Sequence, residues 1–592
     1  MLRLKDDHHI DDLALTPGAA KTIADQPSGL IVESAAVILD RYWNKGGVLI
    51  VVGATGAVTR LIAPLLKSKD SDPAVLVLDA NGTQVIPLLG GHQAGAEQLA
   101  MELAASLGGN AVLTGDSATQ MRLALDSFGY GWGWRRSGSE EQWKQLMLTQ
   151  SRETAIHASQ VSGTSLWREC IAAKNTFTDE AKTIDLTENS LIIGPKIEKA
   201  CSWHPATLWV GLGCERNTSI SLIERALSKS LQQANLSDQA VAGLASIDRK
   251  SNEPALIALA RKRGWPLRFF EADQLAKVPV PTPSAAVAVE MGTASVAEAA
   301  CLLAAGNGSQ LLVQKQISKC METESGAVTI AIAEATEAFA PSRGELHLVG
   351  SGPGDLTLLT QDSRQALARS VVWIGYQLYL DLLEPLRRSH QAKLSSKLTL
   401  EKERCTQALK LAQQGARVAL ISSGDSGIYG MSGLALELWL NESEHDRPHF
   451  QVHPGISAIQ LAAAKVGAPL MHDFCTISLS DRLTPWSKIE SRLNAAAQGD
   501  FVVALYNPRS KERDWQLQHA LNIFMQHRPN TTPVAITRQL GRKNEHIDLY
   551  NLTTMPTESV DMLSLVLIGN SSTYEKDEWI VTPRGYHMNL DQ

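Results

Sequence analysis

The sequence LHLVGSGPGD at residues 346–355 decides the fold of the C-terminal part of the chain. Its first four residues predict a short strand, and the next six, from Gly350 to Asp355, follow as a tight turn. Glycines permit backbone angles that other residues avoid, and they let another molecule approach the backbone closely. One such turn is more often merely a turn, so a ligand site needs support from elsewhere in the chain.

Two further glycine-bearing loops follow predicted strands. They read SSGDSGIYG at 422–430 and HPGISA at 453–458, and a fourth strand at 501–506 runs into an Asn-Pro-Arg turn. Loops at the carboxyl ends of strands in an open α/β sheet gather around one crevice. The three loops together therefore predict a shared ligand site.

The length and composition limit the classes of function. A chain of 592 residues predicts about four domains, and 44% hydrophobic with 20% charged residues excludes intrinsic disorder. The net charge of −7, without a Lys/Arg run, favours small-molecule substrates and argues against a nucleic-acid partner. No run approaches the ~18 apolar residues of a membrane span, so we expect no membrane association and a cytoplasmic location.

Cysteine spacing and loop chemistry argue against two other classes of protein. The seven cysteines are scattered without a C-x-x-C pair, which predicts reduced thiols and no metal site. The loops lack the lysine of a Walker loop, and the G-x-G-x-x-G fingerprint with its acidic partner is absent. A nucleotide-binding kinase or dehydrogenase is therefore the weakest functional hypothesis.

Short apolar runs alternate with helix-length amphipathic stretches, which predicts a multidomain α/β protein. We predict an N-terminal domain over 1–128, a connecting or inserted module over 129–204, a third unit over 205–339 and a final unit over 340–592. The predicted strands are 48–52, 74–78, 207–211, 241–247, 267–270, 287–290, 328–333, 346–349, 371–374, 418–422, 450–453, 501–506, 534–537 and 563–568.

The final unit resembles the tetrapyrrole (corrin and porphyrin) methyltransferases through the three loops quoted above. Gly375-Tyr376, Glu401 with Arg404, GAPLMHDF at 467–474 and LYNP at 505–508 make it similar to the precorrin-3B C17-methyltransferase subgroup. That subgroup usually has proline where this chain has Ser426, and serine should preserve the turn.

The resemblance implies two α/β lobes with S-adenosylmethionine in the cleft between them, held largely by loop backbone. The implied cofactor-binding residues are Gly352, Pro353, Gly354, Asp355, Ser423, Gly424, Asp425, Ile428, Tyr429, Pro454, Gly455, Ser457, Tyr506 and Asn507. It also implies a homodimer and a tetrapyrrole substrate, either a precorrin or its cobalt complex.

In this subgroup methylation is coupled to ring contraction, so proton-handling groups should face the substrate. The candidate catalytic residues are Asp425, Tyr429, His453 and His472. Asp425 is favoured because a carboxylate in a glycine-rich loop has little packing value, whereas a structural role is as good an explanation for the other three. Arg509 and Arg538 are candidates for pairing with substrate carboxylates.

The first and third units resemble the cobalt-precorrin-5A hydrolase family. GGHQAGA at 90–96 with GATG at 53–56 carries the N-terminal resemblance, and GLGCERNT at 211–218, ASIDRK at 245–250 with Glu253, and GTASVAEAA at 292–300 carry the C-terminal one. Ala94, Glu97 and Thr55 depart from the family pattern.

That family opens a δ-lactone with water and releases acetaldehyde, which requires a base and charge-stabilising surroundings. His92 is the candidate base, with Glu215 and Glu298 as alternatives, and Arg216 could stabilise the developing charge. Cys214 is discounted as a nucleophile because no histidine partner can be identified.

The overall hypothesis is a set of hydrolase-like α/β domains followed by a two-lobed tetrapyrrole methylase fold. It would combine S-adenosylmethionine-dependent C17-methylation of precorrin-3B or cobalt-factor III with lactone opening. The alternative is a methyltransferase alone, with the N-terminal region reduced to a binding or interaction module.

Overall fold

The computed structural model describes residues 12–21, 30–45, 47–68, 71–90, 96–114, 121–152, 156–177, 190–397, 400–510 and 512–586. The predicted multidomain α/β class is confirmed, because helices cover mixed and parallel sheets along the chain. Among the described helices none can span a bilayer by itself, and one bent pair, Ala285–Met291 with Val296–Ala305, meets the test of length and composition.

The N-terminal domain contains a four-stranded sheet. Its strands, in spatial order, are Val48–Val52, Ala74–Leu78, Gln84–Leu89 and Asn110–Ala111. Its helices are Pro17–Ala20, Ala35–Trp43, Thr55–Ile62 and Ala96–Leu107, and a short pair of strands, Ala14–Leu15 and Ile31–Val32, precedes the sheet. The predicted strands at 48–52 and 74–78 are confirmed, and Ala74–Leu78 is buried along its whole length.

The predicted connecting module carries a sheet of its own. The strands are Arg135–Ser137, Cys201–His204, Ser190–Ile193 and His157–Gln160 in spatial order, with helices Glu140–Ser151 and Ile171–Thr176. Its tryptophans are buried, and they share one hydrophobic core with the first lobe of the C-terminal unit; examples are Trp132, Trp134, Trp203, Leu346, Val372 and Val418. The module is therefore packed against that lobe rather than being a free linker.

The third unit is a five-stranded sheet between two layers of helices. Its strands, in spatial order, are Leu267–Phe270, Val241–Ile247, Leu208–Cys214, Ala327–Glu334 and Gln310–Lys319. Its helices are Ile220–Gln233, Pro254–Arg263, Ala272–Ala276, Ala285–Met291 and Val296–Ala305.

The strand predicted at 287–290 is wrong, because these residues lie within the helix Ala285–Met291. Ser284 caps its first turn, since its side chain accepts a hydrogen bond from the Val287 N–H, and Gly292 ends it with φ +75°. The serine cap and the left-handed glycine outweigh the short Val-Ala-Val run.

The C-terminal unit has two lobes. The first is an all-parallel sheet of Ala392–Ser396, Val372–Tyr376, Arg417–Ser422, Glu345–Gly350 and His449–His453 in spatial order. The second is a mixed sheet of Phe474–Ser478, Val502–Tyr506, Ser564–Ile568, Pro533–Arg538 and His546–Asn551, with a small sheet of Gly467–Ala468, Trp579–Val581 and Tyr574–Lys576 beside it. The helices are Gln361–Arg369, Gln377–Leu383, Glu401–Gln413, Ser432–Asn441, Ala458–Val466, Trp486–Gln498 and Gln516–Met525.

Candidate functional site

The three glycine loops meet at the carboxyl edge of the first lobe, because the strands that carry them are neighbours in the parallel sheet. A Cβ built on Gly455 would lie 2.1 Å from the carbonyl oxygen of Gly424 and 2.6 Å from that of Gly350. The three backbones therefore touch where only glycine fits. The prediction that these loops converge is confirmed.

Hydrogen bonds hold the first two loops together. The N–H of Gly352 donates to the carbonyl oxygen of Gly424 at 3.1 Å, and the N–H of Gly424 donates back to Gly352 at 2.7 Å. Both glycines have positive φ, +67° and +62°. This reciprocal pair fixes the spacing of the loops without any side chain.

Asp425 joins the second loop to the third. Its Oδ1 atom accepts a hydrogen bond from the N–H of Gly427 at 2.8 Å, and its Oδ2 atom accepts one from the N–H of Gly455 at 3.1 Å. The carboxylate therefore has a structural task that the sequence argument did not assign to it. It lies at the centre of the loop cluster, in the position expected of a site residue.

Tyr429 connects the loop cluster to the second lobe. Its φ is +51°, its hydroxyl donates to the carbonyl oxygen of Thr476 at 3.0 Å, and its ring centroid lies 5.0 Å from that of Tyr506. The Tyr506 hydroxyl accepts a hydrogen bond from the N–H of Ile459 at 3.1 Å, and burial raises the pKa of Tyr506. Asn507 follows with φ +48° and donates to Ser478 Oγ at 3.0 Å.

The first loop also touches the second lobe. The Nε of Arg542 donates to the carbonyl oxygen of Pro353 at 3.2 Å, and a Cβ on Gly541 would lie 3.0 Å from the Pro353 ring. Asp355 caps the turn that follows, and the hydrogen bond from the Thr357 N–H lowers the pKa of Asp355. The loop is therefore held between the two lobes.

His453 begins a buried chain of polar side chains that leads away from the loops. Its Nδ1 atom lies 2.8 Å from Asp362 Oδ2, and its Nε2 atom lies 3.0 Å from His347 Nδ1. His347 Nε2 lies 2.9 Å from Glu345, which accepts two hydrogen bonds from Arg369 at 2.6 and 2.7 Å. Burial lowers the pKa of His347.

This series of polar contacts ends in the N-terminal domain. Arg369 lies 3.7 Å from Glu102 Oε2, and the helices that carry them, Gln361–Arg369 and Ala96–Leu107, pack together. His453 is 3% exposed and its Nε2 atom pairs with His347, which favours a structural role beside the third loop. Its Nδ1 atom is close to Asp362 but makes no hydrogen bond of good geometry among the described residues.

The remaining candidates of the final unit lie outside the loop cluster. Arg509 donates to the carbonyl oxygen of Thr557 at 2.9 Å, and Arg538 bridges Asp548 at 3.1 Å. His472 is exposed on a turn before the second lobe's first strand.

In the first and third units, the candidate residues differ in how far they are buried. His92 lies outside the described residues. Glu215 is exposed, whereas Glu298 is fully buried and accepts hydrogen bonds from the Thr282 hydroxyl at 2.8 Å and the Lys315 N–H at 3.0 Å. Burial raises the pKa of Cys214 to about 11, which supports discounting it as a nucleophile.

Glu253, one of the residues that carry the C-terminal resemblance, is a buried charged group to which the sequence assigns no chemical role. It is 1% exposed, and its Oε1 atom accepts a hydrogen bond from the N–H of Asn217 at 2.9 Å. Lys250 Nζ lies 3.6 Å and Arg216 Nη1 4.0 Å from its Oε2 atom, which has no hydrogen-bond partner among the described residues. The signal in the sequence was the spacing Lys-x-x-Glu after a buried strand.

Three family models match the chain. Residues 37–118 match "Cobalamin synthesis G N-terminal", residues 208–333 match "Cobalamin synthesis G C-terminus", and residues 345–555 match "Tetrapyrrole (Corrin/Porphyrin) Methylases". Both resemblances drawn from the sequence are confirmed by these matches.

Curated relatives match the C-terminal unit. A probable cobalt-factor III C(17)-methyltransferase of Salmonella typhimurium is 44% identical over 243 residues, 41% of this chain and 100% of that protein. The chain belongs to the tetrapyrrole methylase family. A cobalt-factor III methyltransferase of Priestia megaterium is 44% identical over 246 residues, and the match spans 45% of its length and 41% of this chain. A precorrin-3B C(17)-methyltransferase of Sinorhizobium sp is 38% identical over 41% of this chain and 97% of that protein.

In the methylase domain the structure brings the predicted glycine loops, Asp425, Tyr429 and Tyr506 together where the two lobes meet. Ile428 and Tyr429 are 39% and 50% exposed there, so apolar side chains face the open space beside the loops. His472, Arg509 and Arg538 are not part of this cluster.

Proposed function

We propose that this chain is a bifunctional enzyme of corrin-ring biosynthesis. Its methylase domain would carry out S-adenosylmethionine-dependent C17-methylation with ring contraction, and its first and third units would open the lactone of cobalt-precorrin-5A. The domain limits 1–128, 129–204, 205–339 and 340–592 belong to this proposal, as does a homodimer formed through the methylase domain.

The observation that carries the proposal is the meeting of Gly350, Gly424 and Gly455 at one point of the cleft. The residues present fit a sulfonium donor, because glycine lets the three loops approach one another closely and the exposed side chains of Ile428 and Tyr429 lie beside them. S-adenosylmethionine, when bound, supplies the methyl group.

The protein's share of the chemistry is alignment. The loop contacts and the Tyr429 hydrogen bond to the second lobe hold the two walls of the cleft at a fixed spacing. Well-oriented reactants can gain roughly 7 to 11 kcal/mol over a random encounter, so no protein nucleophile is needed. Asp425 and Tyr429 are the groups that we propose to face the reacting centre.

We propose cobalt-factor III as the substrate, with precorrin-3B as the alternative. The relatives named for cobalt-factor III are 44% identical, whereas the one named for precorrin-3B is 38% identical. The cobalt would then arrive within the macrocycle as part of the substrate.

The test is incubation of the protein with S-adenosylmethionine and either macrocycle, followed by the mass of the product. We expect a singly methylated, ring-contracted product from wild type. Gly455→Ala should lose at least 90% of this activity, because its methyl group would strike the Gly424 carbonyl oxygen at 2.1 Å. Gly433→Ala is the matched control, since a Cβ there meets nothing within 4 Å. Equal activity of the two variants would contradict the proposed site.

The hydrolase proposal has a separate test. Wild type should release acetaldehyde from cobalt-precorrin-5A, and His92→Ala and Glu253→Gln should each reduce that release without changing methyl transfer. Absence of release by wild type would favour the alternative, in which the N-terminal region is a binding or interaction module.

A further inference from the structure

A cavity of 1380 Å³ lies between the N-terminal domain, the tryptophan-rich module and the first methylase lobe. Its walls include parts of the helices Ala96–Leu107 and Gln361–Arg369 and the turn at 386–390. The loops of the methylase cleft are not among its lining residues. Small-ligand sites usually enclose about 300–1,000 Å³, so this cavity has room for a ligand larger than an ordinary metabolite.

The charge of the lining is one-sided. Among the described residues that line the cavity there are eight arginines and only two glutamates, Glu97 and Glu102. Such a concentration of guanidinium groups favours a ligand with several carboxylates or phosphates.

Some of these arginines already have partners. Arg369 is bound to Glu345, Arg387 to Glu384, and Arg364 donates to the carbonyl oxygen of Leu356. The carboxylates partly neutralise the charges of Arg369 and Arg387, whereas the carbonyl partner of Arg364 is uncharged.

Arg388 and Arg343 are differently placed. The Nη1 atom of Arg388 is buried and has no hydrogen-bond partner among the described residues. Arg343 Nη1 donates to the neutral carbonyl oxygen of Gly133 at 3.0 Å. Burial lowers the pKa of both guanidinium groups to about 10. Glu102 offsets this effect at Arg388, whereas Arg135 adds to it at Arg343. Desolvated cations that outnumber the nearby carboxylates are unfavourable, and an anionic ligand in the cavity would offset that cost.

An aromatic wall lies beside the arginines. Tyr130 is 40% exposed, stands edge-on to Trp203 at 5.0 Å, and lines the cavity together with Phe128. Aromatic rings suit contact with a flat conjugated ligand, whereas phosphates on a flexible chain would gain nothing from them.

We propose that this cavity binds a polycarboxylate macrocycle, as a second site distinct from the methylase cleft. The identity of that macrocycle as a tetrapyrrole intermediate rests on the proposed function, but the binding itself does not. The site touches both the hydrolase-like N-terminal domain and the methylase lobe, so it would hold an intermediate between the two activities.

The experiment is a fluorescence titration and equilibrium dialysis with uroporphyrin, an eight-carboxylate porphyrin, using the full chain. Wild type should show a site that Arg388→Met weakens about tenfold, the usual effect of losing one charge-assisted contact. Mesoporphyrin, which has two carboxylates, should bind this site at least about tenfold more weakly. Arg261→Met, at an exposed arginine of the third unit, is the matched control and should change neither.

Thermal unfolding separates binding from folding. Because the Nη1 atom of Arg388 is buried with no hydrogen-bond partner in the described part of the chain, Arg388→Met should unfold at or near the wild-type temperature while it binds uroporphyrin more weakly. Unchanged uroporphyrin affinity in both Arg388→Met and Arg343→Gln would overturn the proposal. A loss of the same site in Gly455→Ala would also overturn it, because the bound porphyrin would then lie in the methylase cleft.

Failure of the two proposals can be distinguished. Wild type that binds uroporphyrin through Arg388 but transfers no methyl group would leave the cavity site standing and refute the methyltransferase. Wild type that methylates its substrate but shows no Arg388-dependent site would support the methyltransferase and refute the cavity site.

Discussion

Asp425 has contacts that its place in the sequence does not reveal. The sequence argument favoured it because a carboxylate in a glycine-rich loop contributes little to packing. In the structure it accepts hydrogen bonds from two backbone N–H groups in different loops, at Gly427 and Gly455. Its effect on activity is therefore expected to include the placement of the loops.

We predict that Asp425→Ala lowers methyl-transfer kcat/KM by about 10- to 100-fold, because the part-buried N–H of Gly455 loses its acceptor at a cost of about 1–3 kcal/mol. Asp425→Asn should retain part of the activity, since its amide oxygen can still accept one of these bonds. His472→Ala is the control at an exposed position and should stay near wild type. Steady-state kinetics checks this, and equal activity of Asp425→Ala and His472→Ala would remove Asp425 from the site.

Ser426, which stands where the subgroup usually has proline, differs from Asp425 in the hydrogen bonding of its side chain. The residue is 1% exposed, and its hydroxyl has no hydrogen-bond partner among the described residues. A buried unpaired hydroxyl costs about 1–3 kcal/mol. We predict that Ser426→Ala leaves stability unchanged or raises it by about 1 kcal/mol. Urea unfolding would measure this, and a loss above that size would mean that the hydroxyl has a partner.

At the scale of elements, the helix Gln361–Arg369 connects the cleft to the N-terminal domain. Its first turn carries Asp362, which faces His453 beside the third loop, and its last residue, Arg369, pairs with Glu345 and approaches Glu102. This one helix thus contacts the third loop, the first residue of the strand Glu345–Gly350 and the N-terminal domain.

The carboxylate of Glu345 gives this element a pH dependence. Burial by itself would raise the pKa of Glu345, but the hydrogen bonds from Arg369 and His347 outweigh it and hold that pKa well below its usual range. A depressed carboxylate pKa contributes stability above the unfolded value, near 4.5, and loses it as the pH falls below that value.

We predict that Glu345→Gln destabilises the protein by about 1.5–3 kcal/mol at pH 7, because buried His347 and the partly exposed Arg369 lose a charged hydrogen-bond partner. The difference from wild type should shrink as the pH falls below about 4, where the unfolded chain's carboxylate is protonated. Chemical unfolding at a series of pH values provides the measurement. A difference that does not change with pH would refute the electrostatic explanation.

The same scale shows which elements local sequence could predict. The strands at 241–247, 418–422 and 534–537 are confirmed, since each is a continuous apolar run with little competing signal. The run at 287–290 begins with three apolar residues before Glu290, but the cap at Ser284 and the left-handed Gly292 enclose it in a helix. A run of four residues is too short for its hydrophobic pattern to distinguish a strand from a helix.

At the scale of the whole molecule, the informative feature is a hydrophobic core. The connecting module, residues 129–204, which is the tryptophan module, shares this core with the first methylase lobe. In this contact the backbone of Gly133, at φ +76°, lies close to that of Gly415. A Cβ on Gly133 would lie 2.5 Å from the Gly415 carbonyl oxygen.

We predict that Gly133→Ala lowers the stability of the module and the first lobe together, with one shared unfolding transition. Gly264→Ala is the matched control, because Gly264 also ends a helix with positive φ, +65°, but a Cβ there meets nothing within 4 Å. That control should cost only the left-handed strain of about 1–2 kcal/mol, and Gly133→Ala clearly more. Calorimetry would show the two effects, and separate transitions for module and lobe would contradict a shared core.

The candidate site was predictable where its parts are loops after strands, and not where they depend on contacts between domains. The glycines at 350, 424 and 455 are visible in the sequence because each follows an apolar run. Nothing local indicates that Arg369 meets Glu102, or that Arg343 and Arg388 face one cavity. Those contacts arise from the packing of domains that are hundreds of residues apart in the chain.

The shared tryptophan core also bears on synthesis. The module is complete at about residue 204, but the strands that cover its apolar face, 345–422, emerge from the ribosome some 200 residues later. At ~5–20 residues per second the uncovered indole-rich surface would wait roughly 10 to 40 s for its partner. During translation, this face is where a nascent chain would most need a chaperone.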